Sequence, residues 1–138
     1  MKLENKIHHS VEQWEVLAEK IDDGPVCMIN LLKFKDKANY PDGRESKLTG
    51  LEAYQIYSSN TRELVERAGG KILHTSIIEG MIVGEVEELW DVAAIVEYPS
   101  IKSFMAMVNS DEWKEYSIHK EAGLVGQLNI LSRIPSLS

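Results

Sequence analysis

Asn30, His74 and His119 are the side chains in this sequence whose chemistry and setting could support catalysis. Asn30 interrupts an apolar run, PVCMINLLKF at 25–34, in which Val26, Met28, Leu32 and Phe34 alternate with Cys27, Ile29 and Leu31. On a strand it shares a face with Met28 and Leu32, so its amide is expected to be buried and partnered. Such an amide can orient a substrate carbonyl or a bound water; it can equally hold a neighbouring strand or a dimer mate. His74 lies in KILHTSIIE at 71–79, with Ile72, Ser76 and Ile78 expected on its own face. It is suited to general acid or base work near neutral pH, or to a half-solvated place at a sheet edge. His119, followed by Lys120 and Glu121, reads as the end of a helical segment. It either reaches into a cavity or serves the helix terminus, where cations are favoured by the dipole and by the free carbonyls.

Around this candidate catalytic set stand Tyr54, Tyr57, Arg44 and Trp90 as candidate substrate-binding residues. Tyr54 and Tyr57 share one helical face, where a ring can line an apolar pocket while the phenol donates to an oxyanion. The same spacing also describes an ordinary core stripe. Arg44 sits in the polar stretch KDKANYPDGRESKL at 35–48, long enough at about 14 residues to act as a lid. Trp90 and Asp91 take opposite faces of a later strand, with Asp91 expected in solvent or paired with a lysine.

The elements that must position these groups are legible from caps and periodicity. Ser10-x-x-Gln13 and Thr49-x-x-Glu52 have capping-box spacing. The first opens a helix through Val11, Trp14, Leu17, Ala18 and Ile21 that ends before Asp23-Gly24-Pro25. The second opens a helix presenting Tyr54, Tyr57, Thr61, Leu64, Val65 and Ala68, stopped by Gly69-Gly70. Strands are expected at 25–34, 71–79, 90–98 and 124–134. Helical pieces through Phe104 and Met107, and then through Trp113 and Tyr116, separate the last two strands.

After the leading helix the order is β-α-β, β-α-β, the ferredoxin-like pattern of an α+β fold. It implies a four-stranded antiparallel sheet with helices on one face, preceded by a helical extension at 1–24 and occupying 25–134 as one domain. The first and last strands are apolar on both faces, so the bare side of the sheet needs cover. A second copy packed sheet to sheet is the economical one, and a homodimer is expected.

Composition excludes several function classes. The 138 residues carry a net charge of −7, which disfavours nucleic acid and anionic lipid as partners. A local excess of Lys33, Lys35, Lys37, Arg44 and Lys47 falls in a loop and reads as a solvated surface. Met1 to His9 is polar, with no apolar stretch of signal-peptide length, and no run approaches a membrane span, so a cytoplasmic location is expected. The single cysteine, Cys27, rules out an internal disulfide and reads as an inert buried thiol. No phosphate-binding loop or dinucleotide fingerprint occurs, and the histidines lack metal-ligand spacing. Neither a cofactor nor a metal is expected.

An ordered set of short elements resembles a known family. They are Tyr40-Pro41-Asp42-Gly43-Arg44, Gly50-x-x-Ala53-Tyr54-x-x-Tyr57, Gly69-Gly70, Glu79-Gly80 and Trp90-Asp91, followed by Tyr98-Pro99-Ser100 with Phe104 and Met107, and His119-Lys120-x-Ala122. In this order and spacing they resemble the bacterial family known as domain of unknown function 1330, over roughly residues 25–132. The resemblance implies a ferredoxin-like dimeric α+β barrel joined through its sheets, from a superfamily spanning cofactor-independent oxygenases, isomerases and ligand-sensing modules. It also implies that Lys120 stands where many relatives carry arginine, a departure that would weaken two-point carboxylate binding there.

Two functions are consistent with these residues. In one, a small, mostly apolar organic molecule sits between sheet and helices, and cofactor-free oxygenation, isomerisation or proton transfer follows. In the other, the chain is a non-catalytic ligand-binding or assembly module. A pocket of at least small-aromatic size with Asn30 and His74 pointing into it would favour the first; a filled interior would favour the second.

Overall fold

The computed structural model describes residues 4–20 and 24–134. Eight elements follow in order: α1 (Val11–Ala18), β1 (Val26–Phe34), α2 (Gly50–Arg67), β2 (Lys71–Ile77), β3 (Val92–Tyr98), α3 (Ile101–Val108), α4 (Asp111–Gly123) and β4 (Leu124–Ser132). Both capping boxes form. Gln13 N–H donates to Ser10 Oγ at 3.0 Å, and Glu52 N–H donates to Thr49 Oγ1 at 3.0 Å. In each, the glutamine or glutamate side chain accepts from the cap residue's own N–H. Ile21 and Asp23, expected at the end of the first helix, lie outside the described residues.

The sheet runs β2-β3-β1-β4, antiparallel throughout. This is the ferredoxin-like arrangement, with the extra N-terminal helix in place. Val26 and Met28 of β1 pack with Leu64 and Val65 of α2, Tyr98 of β3, and Ile101, Met107 and Val108 of α3. Trp14 and Leu17 of α1 and Trp113 and Tyr116 of α4 pack against the same cluster. All four helices therefore lie over one face of the sheet. Cys27, Ile29 and Leu31 point the other way, beside Ala93 and Ile95 of β3 and Leu128 and Ile130 of β4. None of these belongs to a buried cluster, and Ile130 is 45% exposed.

Helices α2 and α4 approach closely because both contribute small residues at the crossing. Gly50 and Gly123 meet backbone to backbone, and a Cβ on Gly50 would overlap the carbonyl oxygens of Lys35 and Gly123. Ala53 and Ala122, both fully buried, extend the contact, and Tyr40 closes it from the side. The segment between β1 and α2 is tied to this seam. Lys35 N–H donates to Gly123 O at 2.8 Å, Asn39 N–H to Ala122 O at 2.9 Å, and Ala38 N–H to Leu48 O at 3.0 Å.

Candidate functional site

The space between sheet and helices is not filled. A cavity of about 870 Å³ extends from beneath α2 toward the N-terminal segment, within the size range of small-molecule sites. Its floor is the helix-facing side of the sheet, including Met28, Asn30, Leu32, Ala94 and Gln127. Its roof carries Tyr54 and Tyr57 from α2, Phe104 from α3, and Trp113 and Lys120 from α4. His9, Trp14 and Leu17 line the end nearest the N-terminus.

The rings form a connected wall. Tyr54 and Tyr57 lie 5.3 Å apart by centroid, Tyr57 meets Trp113 edge-on at 6.2 Å, and Phe34 backs Tyr54 at 5.4 Å. Burial pushes the Tyr57 phenol up to about 12, against opposing polar contacts from Trp113 and Thr61. Burial raises Tyr54 as well, helped by Tyr57. Both phenols are therefore neutral at physiological pH and can donate a hydrogen bond without acting as acids.

On the floor, strand register brings three amides together. Asn30 pairs with Asn129, and Leu32 pairs with Gln127, so Asn30, Gln127 and Asn129 share a face. Gln127 Nε2 donates to Asn30 Oδ1 at 2.8 Å, and Asn30 Nδ2 donates to Met28 O at 3.3 Å. Asn30 thus lines the cavity and is also held by the protein.

Lys120 provides the charge. Its ammonium stands 5.7 Å from the Trp113 ring centroid. Burial pulls its pKa down to about 8, partly offset by Glu121. Opposite, His9 stacks on Trp14 at 4.2 Å; burial holds it below the usual histidine range, and repulsion from His8 and Lys120 adds to that shift.

The family described as Domain of unknown function (DUF1330) matches residues 44–134. The chain belongs to that family. Its structure is similar to the crystal structure of the methylated RPA0582 protein, at 31% identity and a TM-score of 0.87, with 99% of this chain and 100% of that one covered. It is also similar to RPA0582, a protein of unknown function from Rhodopseudomonas palustris, at 29% identity and a TM-score of 0.86, covering 96% of this chain and 99% of that one. A ferredoxin-like protein of unknown function from Bacteroides fragilis, described as dimeric, shares the fold at 13% identity and a TM-score of 0.50, with 80% and 96% covered. No curated protein matches the chain. The DUF1330 match begins after β1, which places Asn30 and the N-terminal segment outside it, while the RPA0582 structures align over nearly the whole chain.

Within this DUF1330 chain the expected site residues separate. Asn30, Tyr54 and Tyr57 line the cavity. His74 does not share their face. A bulge between Ile72 and His74 pairs Ile72 with Val96 on the cavity side, then turns His74 and Ser76 to the open face, where they pair with Ile95 and Ala93. The expected common face for Ile72 and His74 is corrected by that one extra residue, and His74 is exposed. His119 is likewise outside. Helix α4 continues to Gly123, so His119 is not at its end. Its Nδ1 lies 2.7 Å from the Tyr40 hydroxyl. Burial, with Arg44 adding, keeps the imidazole below its usual range, while burial raises the Tyr40 phenol, so a neutral ring and a neutral phenol share this hydrogen bond.

Arg44 lies over the Tyr40 ring at 4.8 Å and pairs with Asp42 at 2.6 Å. It does not line the cavity, and the 35–48 segment is bound to the α2–α4 seam rather than laid over the cavity as a lid. Trp90 stands outside β3, its Nε1 donating to Asn5 Oδ1 at 3.0 Å. Asp91 pairs with Lys33 at 3.6 Å and accepts from Phe34 N–H at 2.9 Å. Gln127 and Trp113 are not among the expected site residues, and Lys120 is expected only as a weakened counterpart of the relatives' arginine. The signal for two of them was the seven-residue spacing of Trp113 and Lys120, which puts both on one stripe of α4.

Proposed function

We propose that this protein binds a small, mostly apolar organic molecule in the cavity between sheet and helices, and does so as a homodimer joined through the open sheet faces. The observation that carries the binding reading is the 870 Å³ space itself, walled by Tyr54, Tyr57 and Trp113 and floored by the Asn30–Gln127 amide pair. An aromatic wall with a few convergent polar groups is the usual constitution of a small-molecule site. Binding, more than acid–base catalysis, is the activity this geometry favours. His74 and His119, expected to carry proton transfer, lie elsewhere, and the phenols on the cavity wall stay protonated.

Support for the dimer comes from the apolar open face, with Ile29, Leu31, Ile95 and Ile130, and from the similarly folded Bacteroides fragilis protein described as dimeric. The β2–β3 connection adds exposed Ile82 and Val83, at 99% and 86%. Light scattering at micromolar concentration should return twice the 15.6 kDa chain mass; the mass of one chain would reject the dimer.

A thermal-shift screen across small acids, phenols and quinones tests the binding reading. One class should raise the melting temperature, because a ligand at 100 times its Kd contributes about 2.7 kcal/mol of stability. The shift should shrink in Asn30→Ala. A flat screen would count against the cavity as a site.

A further inference from the structure

If the cavity is a binding site, the chemistry of its wall also selects the occupant. Lys120 is the decisive side chain. No ion pair or hydrogen bond reaches its ammonium among the described residues. Glu121, the nearest acid on its own helix, pairs with His8 Nε2 at 2.8 Å. The amides of Asn30 and Gln127 are paired to each other, and Tyr54 and Tyr57 are neutral. The group on the N-terminal segment that senses Lys120 is His9, itself a base rather than an acid. Of the acids at the rim, Glu4 is bound to Lys6 at 2.7 Å, and exposed Glu12 is paired with no cation among the described residues.

A partly buried ammonium beside an aromatic wall, with no ion pair and only a partial offset from Glu121, carries a desolvation penalty that is not fully repaid. The cation–π contact with Trp113 recovers only part of it. We infer that the occupant is an organic anion, a small aromatic or alicyclic carboxylic acid whose carboxylate meets Lys120 Nζ while its ring lies against Tyr54, Tyr57 and Trp113. The ammonium is a point charge and not a planar fork, so it selects for charge and imposes little on the orientation of the carboxylate. Ring shape is then read by the aromatic wall, and charge by one lysine.

This inference rests on the cavity reading, and the experiment separates the two. Calorimetric titration of the full-length protein at neutral pH would compare acids with their neutral isosteres: benzoate with benzamide, cyclohexanecarboxylate with its amide, and 2-naphthoate with 2-naphthamide. The expected result is that at least one acid binds tenfold or more tightly than its amide. In Lys120→Met that acid should lose at least tenfold while the amide is unchanged. Acid and amide binding alike, or Lys120→Met weakening both equally, would overturn the anion while leaving the cavity reading intact. Absence of binding by every probe would overturn both. Should Lys120→Met fail to fold, Lys120→Gln serves in its place, and the acid–amide comparison in the unsubstituted protein decides the matter alone.

Discussion

His119 and Lys120 are consecutive on α4 and lead into two polar regions built in opposite ways. Successive helical residues diverge by about 100°, so one side chain leaves toward the β1–α2 segment and the other toward the cavity. Around His119 the polar groups pair with one another: Tyr40 holds the imidazole, and Arg44 covers Tyr40 and is held by Asp42. Around Lys120 the Asn30–Gln127 amides are paired and the phenols neutral, the charge has no ion pair, and there is room for a ligand. A saturated cluster is an architectural device. An unsaturated charge facing an open space is a place for something else to bind.

The substitution with the largest expected effect strikes the seam that both regions share. Gly50→Val would drive a branched side chain into the carbonyls of Lys35 and Gly123. It should cost at least about 3 kcal/mol in urea unfolding, or prevent folding. A loss below about 1 kcal/mol would show that α2 and α4 can separate without harm, and the contrast between their two sides would lose its structural basis.

Next in size is the pH dependence of Lys120. Burial disfavours its ammonium, so the folded chain holds that proton less tightly than the unfolded chain. The penalty is fully present below about pH 8 and is relieved as pH rises toward 10.5, the ordinary lysine value. Its size is about 3 kcal/mol. The protein should therefore be less stable than Lys120→Met at pH 7, with the gap narrowing by pH 9.5; taking the difference cancels the tyrosine titrations common to both. A gap that does not change with pH would place Lys120 in water.

Tyr40→Phe should cost about 1 kcal/mol through the lost hydrogen bond to His119, with no change in the affinity of any cavity ligand. A ligand effect would join the two regions that the structure separates. The smallest effects are expected from Arg44→Ala and His74→Ala, both exposed. Neither should alter ligand affinity in calorimetry, and only His74→Ala, on the open sheet face, should change the dimer's dissociation measured by dilution.

The fold was legible because its signals are local. Two capping boxes, the Gly69-Gly70 stop and a period-two apolar run fix their elements without reference to the rest of the chain. Asn30 was readable for the same reason, since alternation along β1 alone assigns its face. The remainder of the site depends on pairings that sequence order does not reveal. Gln127 meets Asn30 through β1–β4 register, across nearly a hundred residues. His74 is displaced by one bulged residue in β2, which a simple alternation cannot anticipate. The sequence signals end α4 at His119, four residues short of Gly123, and so do not expose the inward stripe through Trp113 and Lys120.

The N-terminal segment has a kinetic consequence. It lines one end of the cavity, yet α1 has eight residues and none fully buried. Lys6 and Gln127 join it to β4 by two backbone hydrogen bonds, and Asn5 adds one to Trp90. Releasing this segment disturbs none of the sheet pairing beneath it. A ligand held in the cavity as proposed would then exchange through a local opening far less demanding than global unfolding, so that residence time and thermal stability could be tuned by different residues of the same small protein.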